Sequence, residues 1–175
     1  MKKIVDIAHD FLNLEKELKT GIDFTCGHGF DTLYLAKICD DVYAFDIQED
    51  AVDDTKNKCE NYSNVHVVLS DHYLFDHYVQ QFDIGIFNLG YLPQGDHKIT
   101  TNTENVINTL DKALKLLNNN GRIVIVLYPG YEHGYKEARS VKNYCEQLIS
   151  RHYDVAKFKL INRNLSPYII VIDKH

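Results

Sequence analysis

The chain has 175 residues, 45% of them hydrophobic, and a formal net charge of −6 at pH 7: one domain (1–175) with material for a sizeable core, but too acidic to grip a long duplex through its whole surface. Its longest apolar runs, such as Ile123–Leu127, are strand-length and far short of the roughly 20 residues of a membrane span, and acids and a histidine enter the N-terminal stretch too early for a signal peptide. Cys26, Cys39, Cys59 and Cys145 show no Cys-x-x-Cys spacing, which suits a reducing cytoplasm and gives no reason to expect a metal.

In chain order, helical periodicity over 3–19 gives way to a strand at 21–25 that runs directly into Cys26-Gly27-His28-Gly29, followed by a helix over 31–39. Gly27 and Gly29 lack a Cβ, so the backbone can turn sharply and approach a ligand; Asp31 or Thr32 is placed to cap the helix that follows. A second strand, 42–46, ends in Asp46, where a carboxylate can accept both hydroxyls of a ribose, with Ile47 and Gln48 next to it. A dinucleotide fingerprint would need a third glycine where Thr32 stands. Asp23, at the end of the first strand, would repel a pyrophosphate and attract an ammonium group. S-adenosylmethionine carries an ammonium, and Asp-x-Thr-x-Gly-x-Gly at 23–29 resembles motif I of class I S-adenosylmethionine methyltransferases. The expected cofactor contacts are Asp23, Thr25, Cys26, Gly27, His28, Gly29, Asp31, Thr32, Asp46, Ile47 and Gln48.

A helix over 49–61 and a strand over 65–69 lead to Ser70-Asp71-His72. In methyltransferases of this class the position usually holds adenine; Asp71 or Ser70 would take its exocyclic amine and His72 would stack on or bond to the cofactor. The strand at 83–88 ends in Asn88-Leu89-Gly90-Tyr91, where amino-methylating enzymes carry an Asn-Pro-Pro-Tyr-like motif. An Asn carbonyl can aim an amine lone pair at a methyl carbon and an aromatic ring can stack on the attached base, so Asn88, Tyr91 and Asp96 are the candidate catalytic residues, with Asn88 also an expected cofactor contact.

Helices over 102–118 and 134–151 and strands over 121–127, 156–162 and 167–172 complete the pattern. Seven strands with helices between them predict a doubly wound, Rossmann-like α/β sheet with helices on both faces. The last two strands are too close for a crossover helix, so the final one should run antiparallel.

Asp23–Thr32, Tyr43–Gln48, Phe87–Asp96 and Ile99–Thr101 together resemble the MnmM (YtqB) family of small bacterial class I methyltransferases, long grouped as rRNA methylases. The resemblance spans essentially the whole chain, and residues 88–101 are its most specific block. It implies methyl transfer from S-adenosylmethionine to the aminomethyl nitrogen of a tRNA wobble uridine (5-aminomethyl-2-thiouridine), with the anticodon stem-loop as partner. Cys26, His28 and the segment Tyr128–Gly134 depart from the family's usual residues. The expected acceptor surface comprises Asn88, Leu89, Gly90, Tyr91, His97, Tyr131, His133, Tyr135, Lys136 and Arg139. Two alternatives stay open: an rRNA or small-molecule amine methyltransferase, favoured by the acidic surface, and a catalytically silent S-adenosylmethionine-binding module, opposed by the intact Asn88 motif. The sequence does not choose between a monomer and a homodimer.

Overall fold

The computed structural model describes residues 1–90 and 103–175. Apolar side chains at Ile4, Ile7, Ala8, Phe11 and Leu12 recur at helical spacing, and helix α1 covers Ile4–Leu12. The sequence pattern carries this helix to residue 19, but strand β1 already occupies Leu18–Asp23. Tertiary partners decide the difference: the Lys19 and Thr20 N–H groups donate to Asp83 Oδ2 at 2.9 and 3.2 Å, and Leu18 pairs with Cys39. Backbone groups that have such partners outside the segment no longer follow local periodicity.

The chain continues through α2 (Phe30–Ala36), β2 (Cys39–Asp46), α3 (Glu49–Lys58), β3 (Val65–Leu69) and a 3₁₀ turn at His72–His77. β4 (Phe82–Leu89), α4 (Thr103–Leu116), β5 (Leu117–Leu127), α5 (Glu132–Cys145), β6 (Tyr153–Lys159) and β7 (Tyr168–Lys174) follow. β5 begins four residues before the expected start at 121: Leu117 pairs with Phe82, and the register then shifts before Ile84 meets Arg122. Asn120, at φ 58°, and the Asn118 amide bonded to Asp83 Oδ1 at 3.0 Å accommodate that irregularity. α5 ends at Cys145 and not at residue 151, and β6 starts at Tyr153 and not at 156.

Among the described residues the sheet has seven strands in the order β3-β2-β1-β4-β5-β7-β6. β7 pairs antiparallel with both β5 and β6, as expected for a strand reached by a short return; the pairings of β1 through β5 are parallel. β4 is buried along nearly its whole length, as a central parallel strand covered on both faces should be. One core face joins Phe24, Phe75, Phe82 and Phe87 to Val106 and Leu110 of α4 and Ala138 and Val141 of α5. Phe24 and Phe87 stack there with centroids 4.1 Å apart. The opposite face packs Ala8 and Leu12 of α1 and Leu35 of α2 on Ile84, Ile86, Val124 and Val126. From β1 the chain steps outward to β2 and β3, then returns to β4 on β1's other side. The crevice beyond the carboxyl ends of β1 and β4 is therefore the switch point where α/β sheets bind ligands.

Candidate functional site

The glycine turn after β1 is built from the backbone. Cys26 N–H donates to Phe45 O of β2 at 2.9 Å, and Gly29 N–H closes the turn on Cys26 O at 2.7 Å. Gly27 and Gly29 have φ of 50° and 76°, in the left-handed region. A Cβ on Gly29 would stand 2.8 Å from Thr55 Cα, so the turn sits directly on α3, whose Thr55 hydroxyl donates to Gly27 O at 3.1 Å.

Two expectations for this turn are corrected. Gly29 is the N-cap of α2 and no side chain caps that helix, so neither Asp31 nor Thr32 has the capping role. Thr32 points inward and donates to Asp23 Oδ2 at 2.6 Å, while Thr25 N–H reaches Asp23 Oδ1 at 3.2 Å. Asp23 is fully buried. Burial, aided by the charge of Asp31, pushes its carboxyl up to about 8 against the pull of those two bonds. It braces the turn from behind and offers no surface for a direct ammonium contact.

Asp46, at the tip of β2, accepts Gly27 N–H on Oδ2 and Gln48 N–H on Oδ1, both at 3.1 Å. Each oxygen keeps a further lone pair, and the side chain is only partly enclosed, so two hydroxyls can still be accepted. Burial holds its carboxyl above the ordinary range. Ile47 beside it is 47% exposed, an apolar surface of the kind a base ring covers. His28 is turned outward, with Nδ1 2.7 Å from Asp54 Oδ2 of α3. Cys26 is buried and its thiol is pushed well up by burial, so it packs the turn and is not a nucleophile.

At the end of β3, Asp71 caps the 3₁₀ turn through Tyr73 N–H at 2.8 Å and also accepts the Asn105 amide at 2.7 Å, while the Ser70 hydroxyl donates to Asp71 O at 3.2 Å. His72 departs from expectation: it is buried edge-on to Phe87, with Nδ1 2.8 Å from Thr109 Oγ1 of α4. Because Thr109 itself donates to Asn105 O, His72 Nδ1 is the donor, and burial holds the ring below its usual range, neutral. It pins α4 to the sheet and does not face the crevice.

Asn88 closes the site. Its N–H donates to Thr25 Oγ1 at 2.9 Å, and that hydroxyl lies 3.3 Å from Asn88 O, so the tips of β1 and β4 are tied across the switch point. Its side-chain amide donates to Asp31 Oδ2 at 2.9 Å and is hydrogen-bonded to the Tyr128 phenol at the end of β5. Burial pushes that phenol up to about 12, so it stays protonated at physiological pH. Leu89 is core, and a Cβ on the exposed Gly90 would stand 3.5 Å from the Tyr128 ring, an ordinary van der Waals distance. Tyr131 is half-buried, and His133, Tyr135, Lys136 and Arg139 are exposed on the first turns of α5. Gly134 lets that helix start against β5, since a Cβ there would overlap Tyr128 O. Tyr91, Asp96 and His97 lie outside the described residues.

The sequence reading missed two members of this constellation, His9 of α1 and Tyr128. Tyr128 carried a usable signal, being the first residue beyond β5 on the same rim as Asn88. His9, whose Nε2 lies 2.6 Å from Asp31 Oδ1, carried none.

The strand order, with β7 inserted antiparallel and a glycine turn and a polar tip at the β1–β4 switch, is that of class I methyltransferases. Residues 42–174 match the family model described as "Putative rRNA methylase", and the chain belongs to that family. It is 30% identical to a protein of Arabidopsis thaliana named tRNA (mnm(5)s(2)U34)-methyltransferase, chloroplastic, over 99% of this chain and 70% of the relative. Two crystal structures align over the full chain and 99% of their own length. One is a "putative rRNA-methylase" of Clostridium thermocellum (TM-score 0.92, 32% identity). The other is a "putative methyltransferase" of Streptococcus mutans in complex with S-adenosylhomocysteine (TM-score 0.90, 34% identity).

Proposed function

We propose that this protein is an S-adenosylmethionine-dependent N-methyltransferase acting on the aminomethyl group of a tRNA wobble uridine. The observation that carries the reading is Asn88, whose amide is held at the β4 tip by Asp31 and Tyr128, one hydroxyl away from the glycine turn. The name of the Arabidopsis relative supports the substrate, and the structure of the Streptococcus mutans protein supports the cofactor.

The residues present fit that cofactor. Gly27 and Gly29 form a cradle without side chains, Asp46 has acceptor capacity for a ribose diol, and Ile47 offers apolar cover for the base. S-adenosylmethionine supplies a methyl group activated on a cationic sulfur. The protein's task is to present a neutral amine in line with it. Asn88 accepts a hydrogen bond from the amine and aims its lone pair; as the nitrogen–carbon bond forms and the carbon–sulfur bond breaks, sulfur keeps the electron pair and positive charge passes to nitrogen. The methylated ammonium then releases a proton to solvent. No side chain of the described site has to act as the base, because a cation beside the amine already favours its neutral form.

The test is methylation in vitro. The purified protein, S-adenosylmethionine and tRNA bearing 5-aminomethyl-2-thiouridine should yield the methylaminomethyl nucleoside by mass spectrometry. Labelling of rRNA or of a free amine in place of tRNA would replace this reading.

A further inference from the structure

We propose that Asp31, held in place by His9, is the positioning residue that sets which end of the Asn88 amide faces the methyl acceptor. The inference rests on the reading of Asn88 given above.

An asparagine amide has a donor end and an acceptor end of nearly equal size, so shape alone does not orient it. Asp31 distinguishes them. Its carboxylate accepts but cannot donate when ionised, and its Oδ2 lies 2.9 Å from the Asn88 amide nitrogen. With the amide nitrogen committed there, the carbonyl oxygen is turned away from α2. The opposite orientation would set two acceptors against each other in a buried place, since Asp31 is 5% exposed.

Asp31 is itself fixed. His9 Nε2 meets its other oxygen at 2.6 Å, and the His9 ring stacks on Tyr34 with centroids 4.2 Å apart and planes 15° apart. Both side chains are enclosed, at 17% and 6% exposure. The chain His9–Asp31–Asn88–Tyr128 therefore links α1, α2, β4 and the end of β5, and none of its bonds is local in sequence. Asp31 lies in the first turn of α2, where the helix dipole favours an anion, yet it caps nothing. A carboxylate one hydrogen bond behind Asn88 also stabilises the positive charge that develops on the acceptor nitrogen during transfer.

The test has one arm that needs no substrate. In ¹⁵N-labelled protein the Asn88 side-chain NH₂ signals, identified by their loss in Asn88→Ala, should shift and lose exchange protection in Asp31→Ala; unchanged signals overturn the proposal. In the kinetic arm, Asp31→Asn keeps the size of the side chain and removes its charge. We expect kcat to fall about 10-fold or more with S-adenosylmethionine affinity within about threefold of wild type. His9→Ala should lower kcat as well, and His9→Gln, which retains a donor toward Asp31, should restore most of it. Normal kcat in Asp31→Asn, or a loss confined to cofactor affinity, also overturns it. Failure of the functional reading looks different: wild-type protein would leave the aminomethyl tRNA unmethylated while the NMR arm still reported on the Asp31–Asn88 bond.

Discussion

The side-chain amide of Asn88 donates to Asp31 Oδ2 at 2.9 Å, joining residues 57 positions apart at the tip of β4 and the first turn of α2. On the proposed role of Asn88, that bond couples the element beside the glycine turn to the methyl acceptor, and binding and chemistry should be separable by mutation.

Asn88→Ala should leave a folded protein that binds S-adenosylmethionine within a few-fold of wild type but transfers methyl groups at least about 100-fold more slowly, the loss expected of a positioning contact. Calorimetry and single-turnover kinetics on the same preparation check both halves. Near-normal turnover would make the β4 tip structural. Asn88→Asp should be worse folded as well, because it sets a second carboxylate against Asp31 in place of a donor.

Asp46→Ala removes the acceptor for a ribose diol together with the bonds to Gly27 and Gln48 N–H. At roughly 1.5–3 kcal/mol for hydrogen bonds to a charged group, cofactor affinity should fall about 10- to 150-fold. Titration calorimetry measures it, and wild-type affinity in the mutant would remove Asp46 from the site.

Gly29→Ala tests the turn. A Cβ there meets Thr55 Cα at 2.8 Å from a left-handed backbone, so the turn and α3 at Thr55 must move apart. We expect a loss of roughly 1–3 kcal/mol in denaturant-measured stability and a sharp fall in cofactor affinity. Unchanged unfolding midpoints would show that the turn relaxes freely.

Glu137 on α5 gives a pH signature. It is 3% exposed, its Oε1 has no hydrogen-bond partner among the described residues, and burial pushes its carboxyl up to about 7 from an ordinary 4.5. Between those values the native state holds a proton that the unfolded chain has released, so this group's contribution to stability is intact below about 4.5 and is lost as pH rises to about 7. Glu137→Gln should therefore be more stable than wild type at pH 8, by up to about 3 kcal/mol, with the advantage vanishing near pH 4.5. Denaturant melts across pH read the difference; a constant offset would show that Glu137 does not titrate in this range.

RNA contact should be compact. Lys136 and Arg139 are exposed on α5, and the Lys136–Glu132 pair at 3.4 Å is between largely solvated side chains, so it restrains Lys136 little. A footprint of two to four phosphates on a single-stranded loop predicts a slope of log affinity against log salt of roughly −1.5 to −3. Replacing both cations with alanine should flatten it. A much steeper slope would mean that contacts extend beyond the anticodon loop.

The sequence by itself determined the architecture, because it rests on local chemistry. Alternating helix and strand periods dictate the layered sheet, a short connection forces β7 to return antiparallel, and left-handed glycines mark the turn at 27–29. Strand ends were legible for the same reason, and Asp46 and Asn88 do lie at the tips of β2 and β4. Only the tertiary structure decided where side chains at those ends point. Thr32 turns inward to make Asp23 a buried brace, His72 faces α4 and not the crevice, and Asp31 reaches His9 and Asn88 instead of capping its helix. Each of these bonds joins residues 9 to 57 positions apart, and rotamers chosen by such distant partners leave no periodic trace in the chain. α1's early end has the same cause: the Asp83 carboxylate, more than 60 residues downstream, claims the backbone that begins β1.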